Sequence, residues 1–181
     1  MSGIPRLPGD PPADEIVRRM IRVDHAGEYG AARIYDGQLA VLGHTEAAPV
    51  IARMADEERR HLAAFDTLVV ARRVRPTVLS PLWHVGGWAL GAATAFLGAR
   101  AAMACTAAVE DVIDDHYRGQ IETLGSSEPA LAAALEEFRR NEVQHRDTAL
   151  AAGAEDAPGY ELLTAAIRAG TRLAIWLSTR I

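Results

Sequence analysis

Two short stretches of the chain carry a carboxylate and an imidazole at the same spacing. Glu58 and His61 form one Glu-x-x-His pair, and Glu142 and His145 form the other. Residues three positions apart lie on one face of a helix, so each pair can direct both side chains toward one point. A single pair of this kind is commonly an ordinary charged helix face. Two pairs predict chemistry only if other residues join them.

A lone glutamate lies upstream of each pair at nearly the same distance. Glu28 precedes Glu58 by 30 residues, and Glu110 precedes Glu142 by 32. At about 1.5 Å of rise per residue, these distances let one helix end and the next return antiparallel to it. The chain therefore contains a twofold repeat in which a helix with one glutamate is followed by a helix with Glu-x-x-His.

A tyrosine accompanies each lone glutamate. Tyr35 follows Glu28 by seven residues, and Tyr117 follows Glu110 by seven. Seven residues are two helical turns, so we expect each tyrosine on the face of the glutamate in its own repeat.

Four carboxylates in the interior of a helical bundle need neutralisation, because burying unpaired charge is very unfavourable. Two divalent cations would provide it. Carboxylate and imidazole ligands suit iron or manganese, and one Glu from each of two helices with Glu-x-x-His from two others is the pattern of di-iron and di-manganese bundles. The predicted metal ligands are Glu28, Glu58, His61, Glu110, Glu142 and His145.

The composition predicts the elements that must position these residues. Apolar residues make up 49% of the chain and aromatic residues only 6%, and alanine dominates long stretches, which favours an all-α fold. We predict a four-helix bundle, with Asp14 and Thr45 as caps of the first two helices. The four long helices are expected over 15–42, 46–74, 99–124 and 129–153.

Charge and cysteine content exclude several other classes of protein. The net charge of −5 argues against a nucleic-acid partner, and the single cysteine, Cys105, excludes an internal disulfide framework. Residues 1–12 are rich in proline and glycine and resemble neither a signal nor a transit peptide. We predict a flexible lead-in over 1–12 and one metal-binding domain over 13–181.

An apolar stretch separates the two repeats. Residues 76–99 contain no Asp, Glu, Lys or Arg, which is long enough to suggest a membrane span. A span would place the ligands of the two repeats on opposite sides of the membrane, and the prolines and glycines interrupt the stretch. We interpret it as a crossover at the membrane surface, with Trp83 and Trp88 at the interface.

The last segment, 160–181, is predicted to be an extra amphipathic helix at the same surface. Arg168, Arg172 and Arg180 would meet anionic headgroups. The alternative is that this helix and the apolar stretch simply cover the core of the bundle. The apolar residues of the helix are Leu162, Leu163, Ile167, Leu173, Trp176 and Leu177.

Three stretches resemble the demethoxyubiquinone hydroxylases of ubiquinone biosynthesis, which are ferritin-like di-iron carboxylate proteins. The resemblance extends from about residue 16 to residue 181. It implies a ferritin-like four-helix bundle, two iron ions held by the six predicted ligands, and Glu58 and Glu110 nearest to both irons. The stretches are RVDHAGEYGAARIY (22–35), RVRPTVLSPLW (73–83) and MACTAAVEDVIDDHY (103–117).

The resemblance also implies an activity. The expected reaction is O2-dependent hydroxylation at ring C6 of a polyprenyl methoxy-methyl-benzoquinone, with NADH as a possible reductant. A lipid-binding partner protein is known in the family. The expected location, for a bacterial protein, is the cytoplasmic side of the inner membrane, bound peripherally. The chain has no GxGxxG fingerprint, so any NADH contact would not be of the Rossmann type.

Several residues and functions stay open at this point. Tyr117 and His116 are candidates for electron or proton delivery. His25, Asp24 and Asp114 either support the ligands, Asp114 by orienting a ligand histidine, or are ordinary packed or solvated residues. Competing functions are iron oxidation and storage, peroxide scavenging, and a membrane-associated scaffold without metal. A homodimer formed through the apolar faces is a further hypothesis.

Overall fold

Six α-helices joined by short turns make up the part of the chain described by the structure, a computed structural model covering residues 11–181. No β-strand occurs in this range, so the predicted all-α fold is confirmed. Residues 1–10, most of the predicted lead-in, lie outside the described residues. The helices are α1 (Ala13–Leu42), α2 (Ala48–Ala71), α3 (Ser80–Phe96), α4 (Ala99–Leu124), α5 (Pro129–Ala151) and α6 (Tyr160–Arg180).

Prolines mark the beginnings of three helices. Pro49, Pro81 and Pro129 lie in the first turns of α2, α3 and α5. A missing N–H is tolerated in the first turn, and the fixed φ of proline suits the helix. Gly98 and Gly125 have positive φ at the two ends of α4, where an L side chain would be strained.

Both predicted caps are wrong. Pro12 holds the cap position of α1, so Asp14 lies inside the first turn. Thr45 donates its hydroxyl to the carbonyl of Leu42 at 2.7 Å, which closes the turn after α1 instead of capping α2.

The helices form two units of three, one for each half of the repeat. Helix α1 packs along α2 and α3, and α4 packs along α5 and α6. The four helices α1, α2, α4 and α5 form the predicted bundle. Helices α3 and α6 each contact both α1 and α4, so they cover one face of the bundle.

The glycines inside α3 do not interrupt the helix, contrary to the prediction, whereas Gly98 separates α3 from α4 as predicted. Gly87 and Gly91 allow the backbone of α3 to approach α1 very closely. A Cβ on Gly91 would be 1.9 Å from the carbonyl oxygen of Ile34, and one on Gly37 would be 2.1 Å from that of Trp88. The sequence therefore fixes α3 firmly against α1.

Helices α3 and α6 each have one buried face and one exposed apolar face. Ile167 is only 5% exposed and packs into the core, as the alternative interpretation of this helix expected. Trp88, Leu173 and Trp176 are exposed at 41%, 57% and 51%. The inner faces of these segments cover the core, as the alternative interpretation expected, and contact of their outer faces with a membrane surface stays a prediction. Within residues 11–181, no helix combines the length and apolar character needed to cross a membrane.

Two hydrophobic clusters enclose a polar layer at the middle of the bundle. One contains Tyr35, Ile51 and Met103, and the other contains Phe65 and Leu135. On each of the four bundle helices, the predicted metal ligands lie between the residues of the two clusters. The ligands are therefore held at mid-bundle by apolar packing on both sides.

Candidate metal centre

All six predicted ligands meet in this polar layer and are buried there. None of their side chains is more than 4% exposed. They form two overlapping groups, and within each group one ligand atom per residue lies within 4.8 Å of the others. The groups are Glu28, Glu58, His61 and Glu142, and Glu58, Glu110, Glu142 and His145.

Glu58 and Glu142 belong to both groups, so they lie between the two candidate metal positions. The expectation from the family resemblance placed Glu58 and Glu110 there. Glu110 belongs to one group only. The twofold repeat explains the difference, because Glu58 and Glu142 occupy equivalent positions and Glu110 is equivalent to Glu28.

Each histidine turns its Nδ1 atom toward the carboxylates. Nδ1 of His61 lies 3.0 Å from Oε1 of Glu142 and 3.5 Å from Oε2 of Glu28. Nδ1 of His145 lies 3.0 Å from Oε1 of Glu58 and 3.3 Å from Oε2 of Glu142. Nδ1 is therefore the atom that each imidazole offers to a metal.

The opposite ring nitrogens have partners that sequence reasoning missed. Nε2 of His145 lies 2.7 Å from Oε2 of Glu57 on α2, and Nε2 of His61 lies 3.1 Å from Nδ2 of Asn141 on α5. Such contacts fix the orientation of a metal-binding imidazole. The sequence contains a signal for these partners, because Glu57 and Asn141 are polar residues directly before the glutamate of each Glu-x-x-His pair.

The two tyrosines cross between the halves of the repeat. Tyr117 donates its hydroxyl to Oε1 of Glu28, and Tyr35 donates to Oε1 of Glu110 at 3.0 Å. The prediction paired each tyrosine with the glutamate of its own repeat. The antiparallel approach of α1 and α4 instead places each tyrosine opposite the glutamate of the other repeat.

Burial and mutual charge shift the pKa values of these side chains in opposite directions. Burial raises the pKa of the Glu58 and Glu110 carboxyls well above the usual value, and the charge of Glu142 adds to this effect. Burial also acts to raise the pKa of Glu142, but the close contacts with His145 and His61 outweigh it and lower that pKa to about 2. Burial opposes charge on the imidazoles, yet their carboxylate partners raise the pKa of His61 to about 9 and that of His145 to about 12.

The donor atoms fit divalent metal ions. Six buried ligand atoms lack a hydrogen-bond partner of acceptable geometry, even where an ion-pair distance is short. Unsatisfied buried polar atoms in a native structure require an explanation, and a cation coordinated by them provides one. The atoms are Oε2 of Glu28, Oε1 of Glu58, both carboxylate oxygens of Glu142, and Nδ1 of His61 and His145.

A cavity of about 320 Å³ reaches this site from the side covered by α3 and α6. Its walls are almost entirely apolar, and its floor includes Glu28, Glu58, Glu110 and Glu142. Trp83 of α3 and Ser178 of α6 also line the cavity, and the indole N–H of Trp83 donates to the Ser178 hydroxyl at 3.0 Å. A flat apolar molecule placed here would lie directly against the carboxylate groups.

The two predicted catalytic residues both line this cavity. Nε2 of His116 lies 3.0 Å from Oδ1 of Asp24, and Gln120 donates to the same oxygen at 2.8 Å. Asp24 is buried, which raises the pKa of its carboxyl, although the His116 contact partly opposes this. The structure thus places His116 and Tyr117 beside any molecule in the cavity.

Two other candidates from the sequence lie away from the ligands. Asp114 pairs with Arg118, Arg139 and Arg146 at 2.8, 2.7 and 3.5 Å, so its predicted role in orienting a histidine is wrong. His25 pairs with Asp66 of α2 at 3.0 Å. Glu57 and Asn141 take the role proposed for Asp114.

Comparison with known proteins gives an independent assignment. The sequence profile of "Ubiquinone biosynthesis protein COQ7" matches residues 15–178. A Rhodospirillum rubrum protein named 3-demethoxyubiquinol 3-hydroxylase is 55% identical over 177 residues, which cover 97% of this chain and 84% of the relative.

Eukaryotic relatives are also similar. The human protein named NADPH-dependent 3-demethoxyubiquinone 3-hydroxylase, mitochondrial, is 54% identical over 91% of this chain and 78% of its own length. The Saccharomyces cerevisiae 5-demethoxyubiquinone hydroxylase, mitochondrial, is 42% identical over 90% of this chain and 77% of its own length. The resemblance inferred from the sequence is therefore confirmed, and this chain belongs to the family of ubiquinone biosynthesis protein COQ7.

Proposed function

We propose that this chain is an O2-dependent di-iron monooxygenase that hydroxylates the ring of a demethoxyubiquinone. The observation that carries the proposal is the direct contact between an apolar cavity and two overlapping groups of buried carboxylates and histidines. The names of the relatives support the same reaction. The ring carries two oxygens and three substituents, so only one carbon still bears hydrogen. That carbon corresponds to the expected C6 position, which the relatives' names number 3 or 5.

The six buried ligands would hold two iron ions for each chain. Bound iron in its reduced state supplies the activation of dioxygen. The balanced reaction consumes O2, two electrons and two protons, and yields the hydroxylated ring and water. The protein contributes the dry cavity, the orientation of the ring and the groups that hold protons at the cavity wall.

Tyr117 and His116 are the proposed positions for proton or electron delivery. Tyr117 joins the cavity wall to Glu28 through its hydroxyl, and His116 joins it to the buried Asp24. A proton leaving the substrate or entering the site therefore has hydrogen-bonded groups on the α4 side of the cavity. The two electrons would come from a nicotinamide; the mammalian relatives' names specify NADPH, whereas the family resemblance implied NADH.

The exposed apolar faces of α3 and α6 support the proposed contact with a membrane surface. The polyprenyl substrate is itself a lipid, and residues of these two helices line the cavity. Peripheral binding at an inner membrane, a lipid-binding partner protein and a homodimer remain proposals of the same kind. Arg168, one of the three arginines predicted to meet headgroups, instead forms an ion pair with Asp111 at 2.9 Å.

Metal content and product analysis test this function together. Iron-supplemented wild-type protein is expected to contain two irons per chain and to convert a short-chain demethoxyquinone under O2 and a reductant. Glu110→Ala should lose one or both irons, whereas the exposed Glu122 on the same helix offers a matched control, Glu122→Ala, that should keep both. If the folded protein binds no iron, the hydroxylase proposal is wrong and the function as a membrane-associated scaffold is favoured. If it binds iron but forms no hydroxylated product, iron oxidation or peroxide scavenging is favoured.

A further inference from the structure

The two candidate metal positions differ in the residue that contacts Nε2 of their histidine, the ring nitrogen that points away from the carboxylates. Nε2 of His145 faces the carboxylate of Glu57, and Nε2 of His61 faces the amide of Asn141. Glu57 and Asn141 occupy equivalent positions of the internal repeat, 84 residues apart. The repeat is therefore symmetric in its ligands and asymmetric in the residues that support them.

A metal on Nδ1 fixes the protonation of the rest of the ring. A neutral imidazole that ligates through Nδ1 carries its proton on Nε2 and must donate it. Glu57 accepts such a proton in its present orientation. Asn141 presents Nδ2, which is itself a donor, so its amide must make a half-turn to offer an oxygen to His61.

Charge adds to this difference in geometry. A carboxylate behind a ligating imidazole stabilises the positive charge that the ring gains when it donates electrons to a metal. Glu57 brings a formal negative charge, and Asn141 brings none. Apart from His145, Glu57 pairs with Arg60, whose Nη2 lies 3.5 Å from Oε1; the side chain of Arg60 is 73% exposed, so solvent screens this pair.

We propose that Glu57 is a positioning residue that makes the metal position of His145 the tighter of the two, so that this position fills first. The inference rests on the two-metal site of the proposed function. It identifies the group Glu58, Glu110, Glu142 and His145 as the first to bind, and the group of His61 as the second. The chain thereby distinguishes two positions whose ligands are equivalent.

Stepwise titration of chelator-treated full-length protein with Co2+ alone, against a competing coloured chelator, tests this without any turnover. Wild-type protein should bind two Co2+ in steps that differ by at least about tenfold in affinity. Glu57→Gln should weaken the tighter step by about 10–100-fold and leave the weaker step nearly unchanged. Asp56→Asn is the matched control: it removes a charge from the neighbouring exposed residue and should leave both steps unchanged.

A gain-of-affinity variant makes the test independent of damage to the fold. Asn141→Asp places a carboxylate behind His61 and should strengthen the weaker step, bringing the two steps together. Two equal steps in wild type, or equal weakening of both steps by Glu57→Gln, would overturn the inference while leaving two metals bound. Absence of Co2+ binding by folded wild-type protein would instead contradict the metal site itself.

Discussion

The two halves of the molecule, α1–α3 and α4–α6, share their metal ligands but differ in the residues around them. Each half supplies one lone glutamate, one Glu-x-x-His pair and one tyrosine that crosses to the other half. Behind the histidines, however, Glu57 corresponds to Asn141. The repeat thus supplies a symmetric pair of candidate metal positions, and the role proposed for Glu57 is to set the two positions apart.

The cavity wall shows the same divergence. The buried Asp24 of α1 accepts from Gln120 of α4, and the repeat-related contact joins Gln38 of α1 to Thr106 of α4 at 3.3 Å. Asp24 also contacts His116, and both residues line the cavity. The contact at the cavity therefore contains a carboxylate with an imidazole beside it, whereas the repeat-related contact contains only a neutral hydroxyl and amide.

Removing a shared ligand should have the largest effect of any change in this comparison. Glu142→Ala removes a carboxylate that belongs to both groups, so we expect loss of both metals and of turnover. Glu28→Ala removes a ligand of one group only and should leave the other metal in place. Metal analysis of the two purified variants, with circular dichroism to confirm folding, measures this. Equal metal loss in both would show that the two positions fill as a unit.

The crossing tyrosines provide the next comparison. Tyr117 lines the cavity, whereas Tyr35 belongs to the apolar cluster at the far side of the ligands. Tyr117→Phe and Tyr35→Phe each remove a buried hydrogen bond to a carboxylate and should cost about 1–3 kcal/mol of unfolding free energy. Only Tyr117→Phe should lower kcat strongly at unchanged metal content. Similar kcat losses in both variants would assign the tyrosines a purely structural role.

The covering helices differ in how closely they approach the bundle. Gly91 of α3 has no room for a methyl group, so Gly91→Ala should destabilise the protein by about 1–3 kcal/mol. Nothing lies within 4 Å of a Cβ on Gly170 of α6, so Gly170→Ala should stabilise the helix by about 0.5–1 kcal/mol. Urea unfolding of both variants measures the two opposite signs. Destabilisation of similar size in both would mean that α6 is held as closely as α3.

Sequence reasoning identified the repeated features of the fold and missed the asymmetric ones. Spacing alone identified six candidate ligands that the structure brings together, because Glu28 and Glu110 precede their pairs by nearly equal distances. The family resemblance placed Glu110 between the metal positions, and spacing paired each tyrosine with its own repeat. The crossing of the tyrosines was missed because contacts between α1 and α4 depend on antiparallel register, which no local pattern contains. The interruption predicted at the glycines of α3 was wrong for a related reason. These glycines allow close contact with the backbone of α1, and that contact depends on the position of a helix distant in sequence.

Titration of the two histidines compares the carboxylates that surround Nδ1 in each group. Carboxylate partners raise the pKa of His61 to about 9 and that of His145 to about 12. Each raised pKa stabilises the folded protein fully below the ordinary value near 6.5, and the contribution fades as pH rises through the folded value. In chelator-treated protein, NMR of the imidazoles should show His61 losing its proton near pH 9 while His145 keeps its own. Joint titration at one pH would remove the distinction between the rings.

The smallest expected effect concerns the polar attachment of α6. Helix α3 is held by backbone contact, whereas α6 is joined to α4 partly by the ion pair of Arg168 and Asp111, which is partly exposed. Because solvent screens such pairs, Arg168→Ala should lower the free energy of unfolding by no more than about 1 kcal/mol. High salt should reduce the difference from wild type, since it weakens the pair in the wild-type protein. Urea unfolding at low and high salt measures both, and a larger loss that persists at high salt would show that the stem of Arg168 stabilises α6 by packing.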